Sequence, residues 1–179
     1  MSRDKIWLFD TTLRDGGQTR GVDFSRADKI AIAHALDDIG IDYIEAGWPG
    51  ANPTDDAFFG KPPRLKNARL VSFGMTRRGG RSAANDPGLN AVIDADVDAA
   101  CLVGKTWDFH VKTALNTSLD ENLEMIRQSL IAVKERGREP MFDCEHFFDG
   151  YKNNSDFAFD CIQAATEGGA DWVVLCDTN

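Results

Sequence analysis

No apolar run in this chain of 179 residues approaches the roughly 20 residues that a bilayer-spanning helix needs. The amino end, Met1-Ser2-Arg3-Asp4-Lys5, leads into the short run Ile6-Trp7-Leu8-Phe9 rather than into a signal h-region, so a cytoplasmic location with no membrane partner is expected. Basic charge is also in short supply: 20 Lys and Arg against 29 Asp and Glu leave a net charge of -9. With no cationic excess to neutralise phosphates, a nucleic-acid partner is not expected, which leaves a small molecule or another protein. Cysteine is scarce and never spaced C-x-x-C. Cys101, Cys144 and Cys176 sit in apolar strand-like runs, and with Cys161 they read as buried reduced thiols rather than as zinc ligands or disulfides.

What is present has the length and apolar content of one soluble domain with a real core, too short for two large ones. Six short apolar runs alternate with helical patterns. The strand-like runs are Ile6 to Phe9, Tyr43 to Ala46, Arg69 to Phe73, Ala99 to Val103, Pro140 to Cys144 and Trp172 to Cys176. Between them, Ser25 to Ile39 carries Ile30, Ala33, Leu36 and Ile39 at helical spacing, with a Ser25–Asp28 capping box and Gly40 as its stop. A short helical stretch is expected over Pro53 to Phe59, and a weaker helix near Leu89 to Ala95. Ser118 to Arg136 has a Ser cap, Glu121 three positions later and Gly137 beyond it, and Ser155 to Glu167 is stopped by Gly168-Gly169.

Strand-to-strand steps of roughly 30 to 40 residues suit right-handed βαβ units, and strands apolar throughout imply a parallel sheet buried on both faces. Either a doubly wound sheet or a (β/α)₈ barrel satisfies this pattern. The first strand-to-helix turn lacks G-x-G-x-x-G, and polar groups follow nearly every strand instead of one switch point, which favours the barrel. The expected fold is therefore α/β, a (β/α)₈ TIM barrel of which residues 1–179 supply about six strands where eight are needed, so the barrel is expected to be partial.

The stretch with the densest chemistry is Asp10-Thr11-Thr12-Leu13-Arg14-Asp15-Gly16-Gly17-Gln18, directly after the first strand. Arg14 can grip a carboxylate bidentately, while Asp15 can offer oxygens to a hard divalent cation. The same residues also suit a surface turn with a solvated salt bridge. Parallel strands bring their carboxyl ends to one face, so Asp10, Arg14, Asp15, Gln18, Glu45, Thr76, Arg77, Lys105, His110, Glu145, His146, Asp177 and Thr178 are expected to converge. Carboxylates beside cations suit metal-assisted chemistry on a small carboxylate-bearing molecule, one carboxylate moving a proton. Glu45 can alternatively serve to pair with Arg14, and His110 and His146 can be ordinary loop histidines.

Asp10 to Gln18, with Tyr43-Ile44-Glu45-Ala46-Gly47-Trp48-Pro49-Gly50 and Asp177-Thr178-Asn179, resembles the metal-dependent TIM-barrel superfamily of 2-isopropylmalate synthase, homocitrate synthase and hydroxymethylglutaryl-CoA lyase. Gly104 to Val111 and Glu145 to Lys152 are similar to its citramalate synthase branch. The resemblance implies an acyltransferase of isoleucine biosynthesis that carries out a Claisen-type condensation. Acetyl-CoA, the co-substrate, loses a methyl proton, and the carbanion attacks the keto carbon of pyruvate to give citramalate after thioester hydrolysis. By position, Asp15 matches the ligand of a divalent metal (Mg, Mn or Zn), and Arg14 the residue that holds the 2-oxo acid. Glu45 completes that polar trio, Glu145 matches the acid that assists deprotonation, Thr178 matches a contact to the keto-acid carboxylate, and Gln18 is a further substrate-binding candidate. Gly17 stands where relatives often carry Glu.

In relatives the metal site is completed by a His-x-His motif and an Asn that lie beyond Asn179. The resemblance thus implies an amino-terminal fragment with little activity alone, whose rear barrel strands and regulatory domain are missing. Open strand edges imply association, as a homo-oligomer such as a dimer or with the missing part. Three other readings stay open: a synthase using another 2-oxo acid, a lyase running in the cleavage direction, and a non-catalytic scaffold that oligomerises.

Overall fold

Six strands, the first five each followed by helix, appear in a computed structural model that describes residues 5–178. The strands are β1 (Phe9–Asp10), β2 (Tyr43–Gly47), β3 (Arg69–Met75), β4 (Ala99–Lys105), β5 (Glu139–Glu145) and β6 (Trp172–Leu175). The helices are α1 (Arg26–Asp38), α2 (Pro53–Phe59), α3 (Pro87–Ile93), α4 (Asp108–His110, widening into a π turn over Val111–Leu115), α5 (Leu119–Glu135), α6 (Phe147–Asn153) and α7 (Ser155–Glu167). Hydrogen-bonded neighbours follow the order β1-β2-β3-β4-β5-β6, and the pairs β1/β2, β2/β3 and β5/β6 are parallel. A doubly wound sheet reverses its order at a switch point; this order never reverses. The fold is thus a partial (β/α) barrel, with six strands where a closed barrel has about eight.

The chain divides into two compact units, one of Met1–Phe73 with Ala95–Ala99 and the other of Gly74–Asp94 with Ala100–Asn179. In the first, β2 is buried at all five positions, and Ile44 and Ala46 pack with Leu13, Ala33, Phe58 and Leu70 in its core. The Ser25 capping box of α1 forms as expected: Asp28 N donates to Ser25 Oγ, and Ser25 N to Asp28 Oδ2. Asp37, at the other end of α1, is buried and accepts from the backbone N–H groups of Lys66, Asn67 and Ala68 at 2.7–2.9 Å. Three such donors favour the ionised form.

In the second unit α5 begins at Ser118, whose hydroxyl accepts from Glu121 N, and buries Met125, Ile126, Leu130 and Val133. Gly40, Gly137 and Gly169 all take positive φ just past their helices, as their placement predicts. Gly150 sits where α6 meets the end of β4; a Cβ there would lie 2.4 Å from the Thr106 carbonyl oxygen, so only glycine allows the approach.

Several expectations are corrected. Ile6 to Phe9 is not a buried strand: pairing begins only at Phe9, and Ile6 and Leu8 are 84% and 50% exposed. Val174 and Leu175 on β6 are exposed as well. Both strands end the sheet order, so burial on two faces holds for its interior and not for its edges. Ile39 lies beyond the last turn of α1 and is exposed. Cys101, Cys144 and Cys161 are buried, but Cys176 is only half-buried. Burial pushes the Cys144 and Cys161 thiols up and keeps them protonated. Stretches read as loops after β4 and β5 are helical, as α4 and α6.

Candidate functional site

Each unit carries one cluster of polar groups after its strands. In the first, the turn following β1 is built by Asp10, whose carboxylate accepts from Thr12 N and Thr12 Oγ1 at 2.9 and 3.1 Å. Thr11 O accepts from both Arg14 N and Gly16 N. This folds the loop so that Arg14 reaches Glu45 on β2: Arg14 Nε donates to Glu45 Oε2 at 2.6 Å. The Glu45 side chain is fully buried, and the Arg14 side chain is 15% exposed. Arg14 Nη1 also donates to Asp15 Oδ1 at 3.2 Å, and the guanidinium lies over the Phe73 ring, 3.9 Å from its centre. A planar cation held by a buried carboxylate along one edge and an aromatic ring on one face has a fixed orientation. Asp15, by contrast, is 64% exposed, with a carboxylate open to solvent.

A cavity of about 240 Å³ adjoins this cluster, lined by Leu13, Arg14, Gln18, Phe24, Trp48 and Asn52 among others. Gln18 thus shares a cavity with Arg14. Against one wall of the cavity is a buried ion pair that sequence reading missed, Lys29 with Asp55. Its signal was a lysine on the inward stripe of α1, one turn before Ala33.

In the second unit Lys105, at the end of β4, pairs with Glu145, at the end of β5. Thr106 Oγ1 donates to the Glu145 carbonyl at 2.7 Å, fixing the backbone beneath that carboxylate. His146 follows with φ 53°, an unusual left-handed conformation for a residue with a Cβ. That turn sets its ring edge-on to His110, centres 4.6 Å apart, with Trp107 beside both. His146 Nδ1 lies 3.3 Å from Asp149 Oδ2, and His146 N donates to Thr178 Oγ1 at 3.1 Å. Burial lowers the pKa of His110, helped by the neighbouring His146 and Lys105 charges and opposed by Glu145 and Asp149. The His110 imidazole is therefore neutral near pH 7.

Arg77 does not join either cluster. It is buried, donating from Nη1 to Glu121 Oε1 at 2.7 Å and from Nε to Gln128 at 2.8 Å, while its backbone N–H donates to Ser129 Oγ. Its role is to tie the end of β3 to α5; the hydrogen bond from Arg77, with a second from Gly80 N, holds Glu121 below the usual carboxylate range. Thr76, its neighbour, is buried with its backbone N–H bonded to Val103 O. Among the described residues no helix is long and apolar enough to cross a membrane.

Comparison with known proteins places these clusters in context. The HMGL-like family model matches residues 5–179. Among curated proteins, (R)-citramalate synthase of Aquifex aeolicus is 52% identical over 98% of this chain and 34% of its own length. That of Streptomyces coelicolor is 50% identical over 98% of this chain and 34% of its own length. Homocitrate synthase AksA of Methanopyrus kandleri is 35% identical over 98% of this chain and 42% of its own. The chain thus spans about a third of the length of the citramalate synthases it matches. Among solved structures, the HMG-CoA lyase of Bacillus subtilis superimposes with a TM-score of 0.74 at 18% identity, covering 96% of this chain and 57% of that one. An HMG-CoA lyase from Acinetobacter baumannii, in complex with coenzyme A and 3-methylmalate, gives 0.73 at 18% identity over 97% and 56%.

Proposed function

The chain belongs to the HMGL-like family, and on that premise we propose that it forms the amino-terminal strands of the catalytic barrel of a citramalate synthase. The whole enzyme would be a cytoplasmic acyltransferase that condenses acetyl-CoA with pyruvate in isoleucine biosynthesis. The observation that carries this reading is the identity pattern: 44–52% to five (R)-citramalate synthases, against 32–35% to homocitrate and 2-isopropylmalate synthases.

In this reading Arg14 binds the 2-oxo acid. Glu45 and the Phe73 ring hold the guanidinium still, so its charge is already aimed where oxyanion charge develops. Gln18, which lines the cavity beside Arg14, adds a polar contact to the acid, and Thr178 is proposed as a further substrate contact. Glu145 assists removal of a methyl proton from acetyl-CoA; Lys105 holds its carboxylate, and Thr106 fixes its backbone. Neutral His110 leaves the cationic partnership of Glu145 to Lys105.

The Asp15 carboxylate fits a hard divalent cation such as Mg²⁺ or Mn²⁺, being exposed and, among the described residues, tied at Oδ1 alone by a long contact to Arg14. A cation bound there would supply Lewis acidity at the carbonyl of the 2-oxo acid. One carboxylate is far short of the roughly six ligands such a cation takes, so the chain alone is proposed to have little activity, its remaining ligands belonging to later barrel strands. The exposed run Ile6 to Phe9 supports association of this edge with those strands or with a second copy.

The test is an assay of the full-length protein with acetyl-CoA and either pyruvate or longer 2-oxo acids, with products identified by mass spectrometry. Citramalate from pyruvate at the highest kcat/KM is expected. Preference for a longer acid, or cleavage of a hydroxyacyl-CoA without condensation, contradicts the proposal.

A further inference from the structure

We propose that Lys29 is a positioning residue: buried beneath the turn after β2, it holds Glu45 and Arg14 in register without touching substrate. This rests on the reading of Arg14 and Glu45 as the clamp for the 2-oxo acid.

Lys29 is 5% exposed although it lies on a surface helix of the first unit. Its ammonium donates to the Ala46 carbonyl at 2.9 Å and pairs with Asp55 on α2. Asp55 carries the contact onward, accepting from Trp48 N at 3.0 Å and from Asn52 Nδ2 at 2.9 Å. The pair thus grips the backbone on both sides of Gly47. At that point β2 departs from regular pairing: its register with β3 shifts between Glu45 and Gly47. Gly47 has φ 147°, and a Cβ there would lie 2.6 Å from Asp55 Oδ1, so the carboxylate fills the space that any other side chain would need.

Two routes lead from this grip to the clamp. Ala46 follows Glu45 on β2, so anchoring the Ala46–Gly47 peptide through the Ala46 carbonyl restricts the backbone one residue beyond the Glu45 carboxylate. Trp48 stands edge-on to Phe73 with ring centres 5.6 Å apart, and Phe73 lies under the Arg14 guanidinium. Both partners of the Arg14–Glu45 pair are therefore set by the same buried ammonium. A charge pair that served only stability could be exchanged for apolar or neutral groups without loss, since breaking one partner is costly but replacing both is often neutral. The bond to the Ala46 carbonyl is what such an exchange removes.

The test compares Lys29→Met with the paired change Lys29→Met/Asp55→Asn in the full-length protein. Lys29→Met alone strands a buried carboxylate and is expected to lower thermal stability. The paired change restores most of that stability, because Asn keeps an acceptor for Trp48 N without the orphaned charge. In the paired variant kcat per folded molecule should still fall roughly 10- to 100-fold, with KM for pyruvate raised and KM for acetyl-CoA unchanged, as sub-ångström misplacement of a clamp implies. Wild-type turnover in the folded double variant would overturn the proposal. Hydrogen exchange supplies a readout independent of the reaction. Amides of residues 43–50 should exchange faster in the double variant while those of α5 do not, and unchanged protection at 43–50 would overturn the proposal even if the protein used some other substrate. Wild-type protein inactive with pyruvate but showing this exchange pattern would count against the assigned reaction alone.

Discussion

Two acid–base pairs, one in each unit, are built to different standards. Arg14–Glu45 joins a planar guanidinium to a fully buried carboxylate, backed by an aromatic ring and by the buried Lys29–Asp55 grip. Lys105–Glu145 joins a flexible ammonium to a carboxylate that remains 28% exposed, beside two imidazoles. A buried pair cannot lose one partner without stranding the other's charge, so the first pair is suited to staying as it is. A partly exposed Lys–Glu pair re-solvates more cheaply than a buried one, so in the proposed function the second can open to admit a substrate and let the carboxylate take a proton. On the proposed function, the contrast is between a fixed electrostatic clamp and a movable base.

The sharpest way to break that contrast is at the clamp. On the proposed function, Arg14→Ala strands Glu45 and removes the charge assigned to the oxyanion, so kcat of the full-length protein should fall on the order of 10³-fold, and thermal stability with it. Glu145→Gln should cost less, on the order of 10²-fold in kcat, with KM for pyruvate and thermal stability close to wild type. If Glu145→Gln instead destabilised the protein as much as Arg14→Ala, the two pairs would not differ in kind.

Asp37→Ala serves as a structural control in the first unit. It deprives three backbone donors of their buried acceptor and should lower stability by about 2–3 kcal/mol, with kcat per folded molecule unchanged. Burial opposes ionisation of Asp37, but those N–H groups and the Lys66 charge outweigh it and lower its pKa. Its contribution is present above the unfolded carboxylate value and lost as pH falls through the lowered folded one.

The second unit should answer to a different pH range. The folded-state pKa of His110 is depressed below 6.5, so between the two values the unfolded chain binds the extra proton. Stability is then full above about pH 6.5 and declines as pH falls below it. A modest loss of Tm between pH 7.5 and 5.5, flattened in His110→Asn, is the expected result. The smallest effect is reserved for the exposed pair Arg64–Asp96, whose removal should change stability by less than about 1 kcal/mol.

What the sequence made legible was chiefly local. Ser25 with Asp28, Ser118 with Glu121, and Gly40, Gly137 and Gly169 all sit where their short-range chemistry demands. The spacing of apolar runs was enough for a parallel sheet, and polar residues in and after the strands singled out Arg14, Asp15, Glu45 and Glu145, of which Arg14 pairs with Glu45 and Asp15, and Glu145 with Lys105. Residues that depend on distant partners were not legible. Arg77 follows a strand as Arg14 does, yet Glu121 and Gln128 on α5 draw it away. Ile6 to Phe9 reads like a core strand, but its exposure is set by its place at the sheet edge, which no window of sequence contains. Lys29 lies on the inward stripe of α1, but its partners Ala46 and Asp55 are 17 and 26 residues away, so only the fold shows what closes over it. Helix α6 was hidden by Gly150, present because α6 packs against Thr106.

The central claim is that Glu45 acts through Arg14 as one clamp, and a double-mutant cycle in the full-length enzyme tests it most directly. Arg14→Lys, Glu45→Gln and the double variant would be compared by kcat/KM for pyruvate at saturating acetyl-CoA. A shared clamp predicts strong non-additivity, with the double variant little worse than Arg14→Lys alone. Losses that simply multiply would mean that Glu45 and Arg14 contribute independently, and the clamp as described would be wrong.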